Sequence, residues 1–304
     1  MVRRIELRAW VSRPLLAIPV VAATGFALAV LNNNVSLSGL SRADFTNSLD
    51  RSLAASTDWT ASQFPSDGSQ RLMVTDSGAA FASNPALVHM LVDLSGISGD
   101  LRLQEISSKI VAVYRRTPVG LVGKMVDPTI AEPPTVDPKF EEYQRWMVHA
   151  ISPAELPLSD AERANMFSDK LRMYNLTHQL FAFYFSRKFH GDTPELHGLM
   201  DRAEQRIATE ATYDFRVTDL YLERIAFLLA AGRPDLVKPR WVERALAAQR
   251  SDGAWPYTWG AWGPHLLGFA DSGERSLAHP TGLGMWLTNM LKYRYPEWIE
   301  KNYR

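Results

Sequence analysis

Two histidines, an aspartate and a glutamate stand where acid–base chemistry can be built. Asp219 and Glu223 are four residues apart, so on a helix they share one face. His178 and His279 each sit at the start of a strongly apolar run, with Tyr174 and Asn175 one turn from His178. A histidine or tyrosine in such a group can take a proton from the carbon beside a carboxylate, while an asparagine neutralises that carboxylate. Two histidines and a carboxylate can also hold a divalent metal with one position open. No complete ligand motif accompanies them, and we expect neither a metal nor a cofactor. The plainer assignment is structural: Asp219, Thr177 and Thr281 cap helices, and the two histidines are satisfied in the core.

These residues belong to a chain that reads as all-α. Ser41 or Asp44 opens a helix to about Gln63, and Asn84-Pro85 opens another, since asparagine caps and proline suits the first turn. Further helices follow from Asp100, from Lys139 and after Ser159-Asp160. Others span Met173 to Phe189, start at Pro194 and at Thr218-Asp219, and run from Gly282 to Tyr293. Gln63 to Gly78 reads as a polar loop. Five prolines between Thr117 and Pro138 predict an extended connection, which is long for a compact domain. No stretch alternates as a strand does.

Arg240 to Gly263 organises the C-terminal part. Trp241 to Arg250 has helical spacing, Asp252-Gly253 is a turn signal, and Trp255, Tyr257, Trp259 and Trp262 follow within a few positions. This aromatic loop either staples helices together or lines a pocket in which Trp255, Tyr257, Trp259, Trp262 and the nearby His265 bind a ligand. Gln249 to Trp255, QRSDGAW, resembles the Q-x-x-D-G-x-W motif of the α/α-toroid proteins, which include squalene-hopene cyclases and protein prenyltransferases. Ser48 to Gln63, followed by Asp67-Gly68, looks like a degraded copy with Trp59. The resemblance implies an incomplete or complete α/α toroid of helical hairpins. In that arrangement the apolar helices are the inner ones and run parallel. The starts Asn84-Pro85, Thr177-His178, Thr218-Asp219 and His279-Pro280-Thr281 then meet at one mouth. It implies no chemistry, because the D-x-D-D acid motif is absent and the prenyltransferase zinc site needs a cysteine. Asn175 to His178 is faintly similar to the Asn and His of toroid polysaccharide lyases.

Lys and Arg number 33 and Asp and Glu number 33, which argues against nucleic acid as a partner. With no cysteine there is neither a disulfide nor a thiolate nucleophile. Arg3, Arg4, Arg8 and Arg13 precede an apolar run, Pro14 to Leu31, near the lower length limit of a membrane span. The expected organisation is a basic cytoplasmic segment 1–13, a transmembrane signal anchor 14–31 and an extracytoplasmic helical domain 32–304. A cleaved signal peptide ending near Ala27-Leu28-Ala29 is the competing fate. This places the chain in a bacterial inner membrane with its main domain in the periplasm. Two functions fit. One is a membrane-anchored domain that binds or processes a cell-envelope glycan or lipid-linked ligand. The other is a non-catalytic accessory subunit whose anchor, rich in small residues, packs against integral membrane proteins.

Overall fold

A computed structural model describes residues 20, 23–34, 39–65, 73–116, 123–130, 142–214, 216–256, 258–259 and 277–304. Helix α1 covers 23–33, and α2 (Arg42–Gln63), α3 (Asp76–Ala82), α4 (Pro85–Ser98), α5 (Leu101–Arg116) and α6 (Gly123–Val126) follow. Next come α7 (Glu142–Ile151), α8 (Asp160–Met166), α9 (Tyr174–His190), α10 (Pro194–Tyr213) and α11 (Asp219–Ala230). The chain continues through α12 (Pro239–Ala247) and α13 (Ala278–Asn289), which passes into a π-helical turn, and ends with α14 (Pro296–Asn302). Local chemistry sets many of these bounds. Ser41, Asn84 and Thr218 each accept a backbone N–H at a helix start, and Gly99 ends α4 with a left-handed φ of 67°. The helical expectation holds: the fold is all-α, apart from Val217–Thr218 pairing antiparallel with Thr258–Trp259.

The helices sort into two layers. α11 is buried at all twelve of its positions, α9 and α13 over most of theirs, and α4 over half. A helix buried on every side belongs inside. α5 packs on α4, α7 and α10 on α9, α10 and α12 on α11, and α2 on α13. The inner helices run parallel, as contacts at three levels establish. Thr177 and Glu223 meet near the helix starts, Phe181 stacks on Phe227 at 4.5 Å halfway along, and Arg187 reaches the Ala231 carbonyl at the ends. Trp286 of α13 lies edge-on to Phe181 and Phe227 and donates its indole N–H to Asp93 of α4 at 2.7 Å. His89 is buried in this core. Burial, with the charge of Lys188, pulls its pKa down to about 3, so the ring is neutral. Its Nδ1 faces the Met125 carbonyl at 3.0 Å.

The QRSDGAW stretch closes the outer layer. Gln249 donates to the carbonyls of Ser52 and Gly253, tying the end of α12 to α2. Gly253 has a φ of 92° and lies against the Ala55 carbonyl, so a side chain has no room there. Trp255 is fully buried and donates from Nε1 to Ala245 at 2.7 Å. Its indole lies on Gly284 of α13.

The expected fold is corrected at its N-terminus. Among the described residues no helix is long and apolar enough to cross a membrane. Of the predicted span the described residues are 20 and 23–31, the latter within helix α1. Its end is docked on the body. Asn33 is buried, donates to the Ala211 carbonyl and accepts from Tyr221 and Arg244. Asn34 donates to the Thr212 carbonyl and accepts from Lys238. The end of α1 is therefore tied to the domain through bonded asparagines. Residues 1–19, 21 and 22, on which the arginine flank and most of the span fall, lie outside the described residues. The Pro-rich connection is also corrected in part: residues 123–126 form α6, whereas 117–122 and 131–138 lie outside the described residues. The polar loop after Gln63 gives way to α3, capped by Thr75.

A methyl group on Gly284 meets the buried Trp255 indole at 2.5 Å. Gly284→Ala is therefore expected to cost about 2 kcal/mol by overpacking, measured as a lower urea midpoint with an unchanged slope.

Candidate functional site

Parallel inner helices bring their first turns to one end of the bundle, and that end is polar. Asp219 and Glu223 open α11 and are both buried. Asp219 Oδ1 accepts from the Tyr174 hydroxyl at 2.5 Å and from the Leu220 N–H at 2.8 Å. Its Oδ2 is then left facing His279 Nδ1 at 3.6 Å. Glu223 repeats the arrangement: Oε2 accepts from the Thr177 hydroxyl at 2.7 Å, and Oε1 faces His279 Nε2 at 3.6 Å. Each carboxylate thus has one oxygen fixed by a hydroxyl and the other turned to the imidazole. At 3.6 Å these pairs are ionic contacts, longer than a closed N–H···O bond.

His279 is the one residue of α13 that is not buried. Its side chain stays 31% exposed while both carboxylates beneath it are covered. Burial lowers its pKa, but the close contact with Asp219 and the charges of Glu223 and Asp219 outweigh that, and the pKa stands above the ordinary histidine value. A cation in the first turn of α13 opposes that helix's dipole. The two carboxylates are therefore what hold the proton. The same converging helix starts favour the carboxylates themselves. Next to the group, Met173 precedes α9 with a φ of 56°, a left-handed value uncommon for a side-chain-bearing residue. Its N–H is held by the Glu210 carboxylate at 3.2 Å.

Of the residues singled out by type and spacing, Tyr174, Asp219, Glu223 and His279 come together. His178 and Asn175 do not join them. Thr177 and His178 are neighbours, so they point about 100° apart around the helix. Thr177 faces Glu223, and His178 turns to Tyr143 on α7 with ring centroids 4.2 Å apart. Asn175 is exposed. Thr177 had been assigned only to capping. Its i,i+3 spacing from Tyr174 puts the two hydroxyls on one face, opposite the i,i+4 pair Asp219 and Glu223, and that signal was present in the sequence. Among the described residues no group of three histidine or acidic side chains is arranged to hold a metal ion.

The aromatic loop divides differently. Trp255 is structural, since its indole N–H is bonded to Ala245, its backbone N–H to Thr281, and its face is packed on Gly284. Trp259 contributes backbone pairing to Val217. Tyr257, Trp262 and His265 lie outside the described residues.

No family model, no curated protein and no solved structure matches this chain.

Because the folded protein holds the His279 proton more tightly than the unfolded chain does, the stabilisation is complete below the ordinary value of 6.5. It is lost as pH rises through the folded value. Urea unfolding of the wild type and His279→Gln across this range is expected to show the wild type losing stability relative to the variant on the alkaline side.

Proposed function

We propose that the protein binds a hydroxyl-rich ligand, a glycan or a lipid-linked sugar, at this end of the bundle and moves a proton on it with His279. One observation carries the reading: a half-exposed imidazole sits between two buried carboxylates, each with one oxygen already fixed. Such an arrangement has a charge set by its neighbours and a face open to a ligand. The raised pKa favours the charged form of His279, and a ligand oxygen that displaces either 3.6 Å carboxylate contact would meet an N–H able to donate a proton. Asp219 Oδ2 and Glu223 Oε1 face the imidazole and stabilise its charge. Tyr174 and Thr177 are positioning residues that hold those carboxylates in place. The strained backbone of Met173 beside Tyr174 is in keeping with a functional end of the molecule.

A second reading, a non-catalytic accessory subunit, draws on a different observation. Val20, Leu28 and Leu31 are exposed along the N-terminal helical segment while Asn33 and Asn34 anchor its end. A protein partner would then cover that face.

A panel of neutral and uronate-containing oligosaccharides, scored for binding and for turnover, tests the first reading. His279→Gln is expected to lower turnover of a hit by about 10²–10⁴-fold with its circular dichroism retained. Asp219→Asn is expected to lower the pH at which activity is lost on the alkaline side. Absence of any hit, together with a defined hetero-complex in native mass measurement, would put the accessory-subunit reading in its place.

A further inference from the structure

The opposite end of the inner bundle holds a cleft of about 470 Å³. It lies between the last turns of α4 and α9 and the α6 segment, and its walls include Ile97, Met125, Val126 and Phe189. This volume is within the range of small-molecule sites, about 300–1,000 Å³. Two features distinguish it from a packing gap.

The first is Gly96. It lies in the last turn of α4 without a left-handed φ, and the glycine that ends the helix is Gly99. A Cβ placed on it meets nothing within 4 Å. Close packing therefore does not require glycine here, and the missing side chain keeps the cleft wall open.

The second is the charge at the rim. Lys188 lines the cleft and, among the described residues, has no ion-pair partner. Its ammonium lies 3.5 Å from the Tyr184 hydroxyl and over that ring. Asp93 lines the same cleft, but its oxygens accept from Trp286 and Arg294, and Arg294 offsets its charge. His89 at the base is neutral. Lys188 and Arg294 share the one carboxylate charge of Asp93, which leaves the rim with a net positive charge above apolar walls. The last turn of α9 supplies a structural reason for a cation at this position, and the experiment must separate that role from ligand binding.

We propose that this cleft binds a small monocarboxylate with an apolar body, an aliphatic or aryl acid. The carboxylate pairs with Lys188 and the body lies along Ile97, Met125, Val126 and Phe189, passing Gly96. This site is separate from the histidine–carboxylate group and does not depend on its function.

The test uses the full chain, with octanoate as the probe and octylamine and octanol as comparators, in calorimetric titration. Octanoate is expected to bind saturably at one site, and the comparators to bind at least about tenfold more weakly, the discrimination a charged contact provides. Lys188→Met is expected to weaken octanoate by a similar factor. Gly96→Leu fills the cleft from a helical position with open space before it, so binding is expected to disappear while the melting temperature holds or rises. No saturable octanoate binding overturns the proposal. So does equal binding of octylamine or octanol, or octanoate binding untouched by Gly96→Leu. A Lys188→Met variant that loses stability but keeps its octanoate affinity assigns Lys188 to the helix end alone and overturns its role here.

Discussion

The parallel packing of the inner helices around Trp286 is what the rest of the molecule depends on. Trp286 touches the rings of Phe181, Tyr184 and Phe227 and bonds to Asp93, so one side chain joins α13 to α4, α9 and α11. Each of these helices is too apolar to face water on its remaining side, and the outer helices cover it. α10 returns the chain from the end of α9 to the start of α11. The polar first turns therefore collect at one end. Without that arrangement Tyr174, Asp219 and His279, which are far apart in the chain, have no reason to meet.

Parallel helices also give the bundle two chemically different ends. Helix starts present N–H groups and partial positive charge, and helix ends present carbonyls and partial negative charge. The buried carboxylates Asp219 and Glu223 sit at the first end. Arg187 and Lys188 sit at the second, close to the end of α9. Between them the core is aromatic and its histidine, His89, is neutral. A buried charge needs partners, and Arg224 of the inner helix α11 is accordingly held by the carboxylates of Glu210 and Asp214.

The aromatic loop after α12 shows how one residue type serves two ends. A tryptophan offers a large apolar face and one N–H. Trp255 uses both internally, which makes it a joint between the outer layer and α13. Gln249 completes that joint from the other side by reaching α2. The asparagines at the end of α1 do similar work with polar groups only. Asn33 occupies the gap between α10, Tyr221 and Arg244, where a buried polar side chain is tolerated because it is bonded.

Local chemistry made much of this legible in the sequence. Caps such as Asn84 and Thr218, the prolines at helix starts, and the apolar runs of α4, α9, α11 and α13 act over a few residues, so the all-α class and most helix positions follow from them. The pairing of Asp219 with Glu223 follows likewise from helical spacing. Three things needed the tertiary structure. Which of the neighbours Thr177 and His178 faces the carboxylates depends on the rotation of α9 against α7 and α11. Where the end of α1 docks depends on acceptors supplied by Ala211 and Thr212, far along the chain. The cleft at Gly96 exists only where α4, α6 and α9 fail to fill one another. In each case the deciding energy is a contact between distant segments, and no short stretch of sequence contains it.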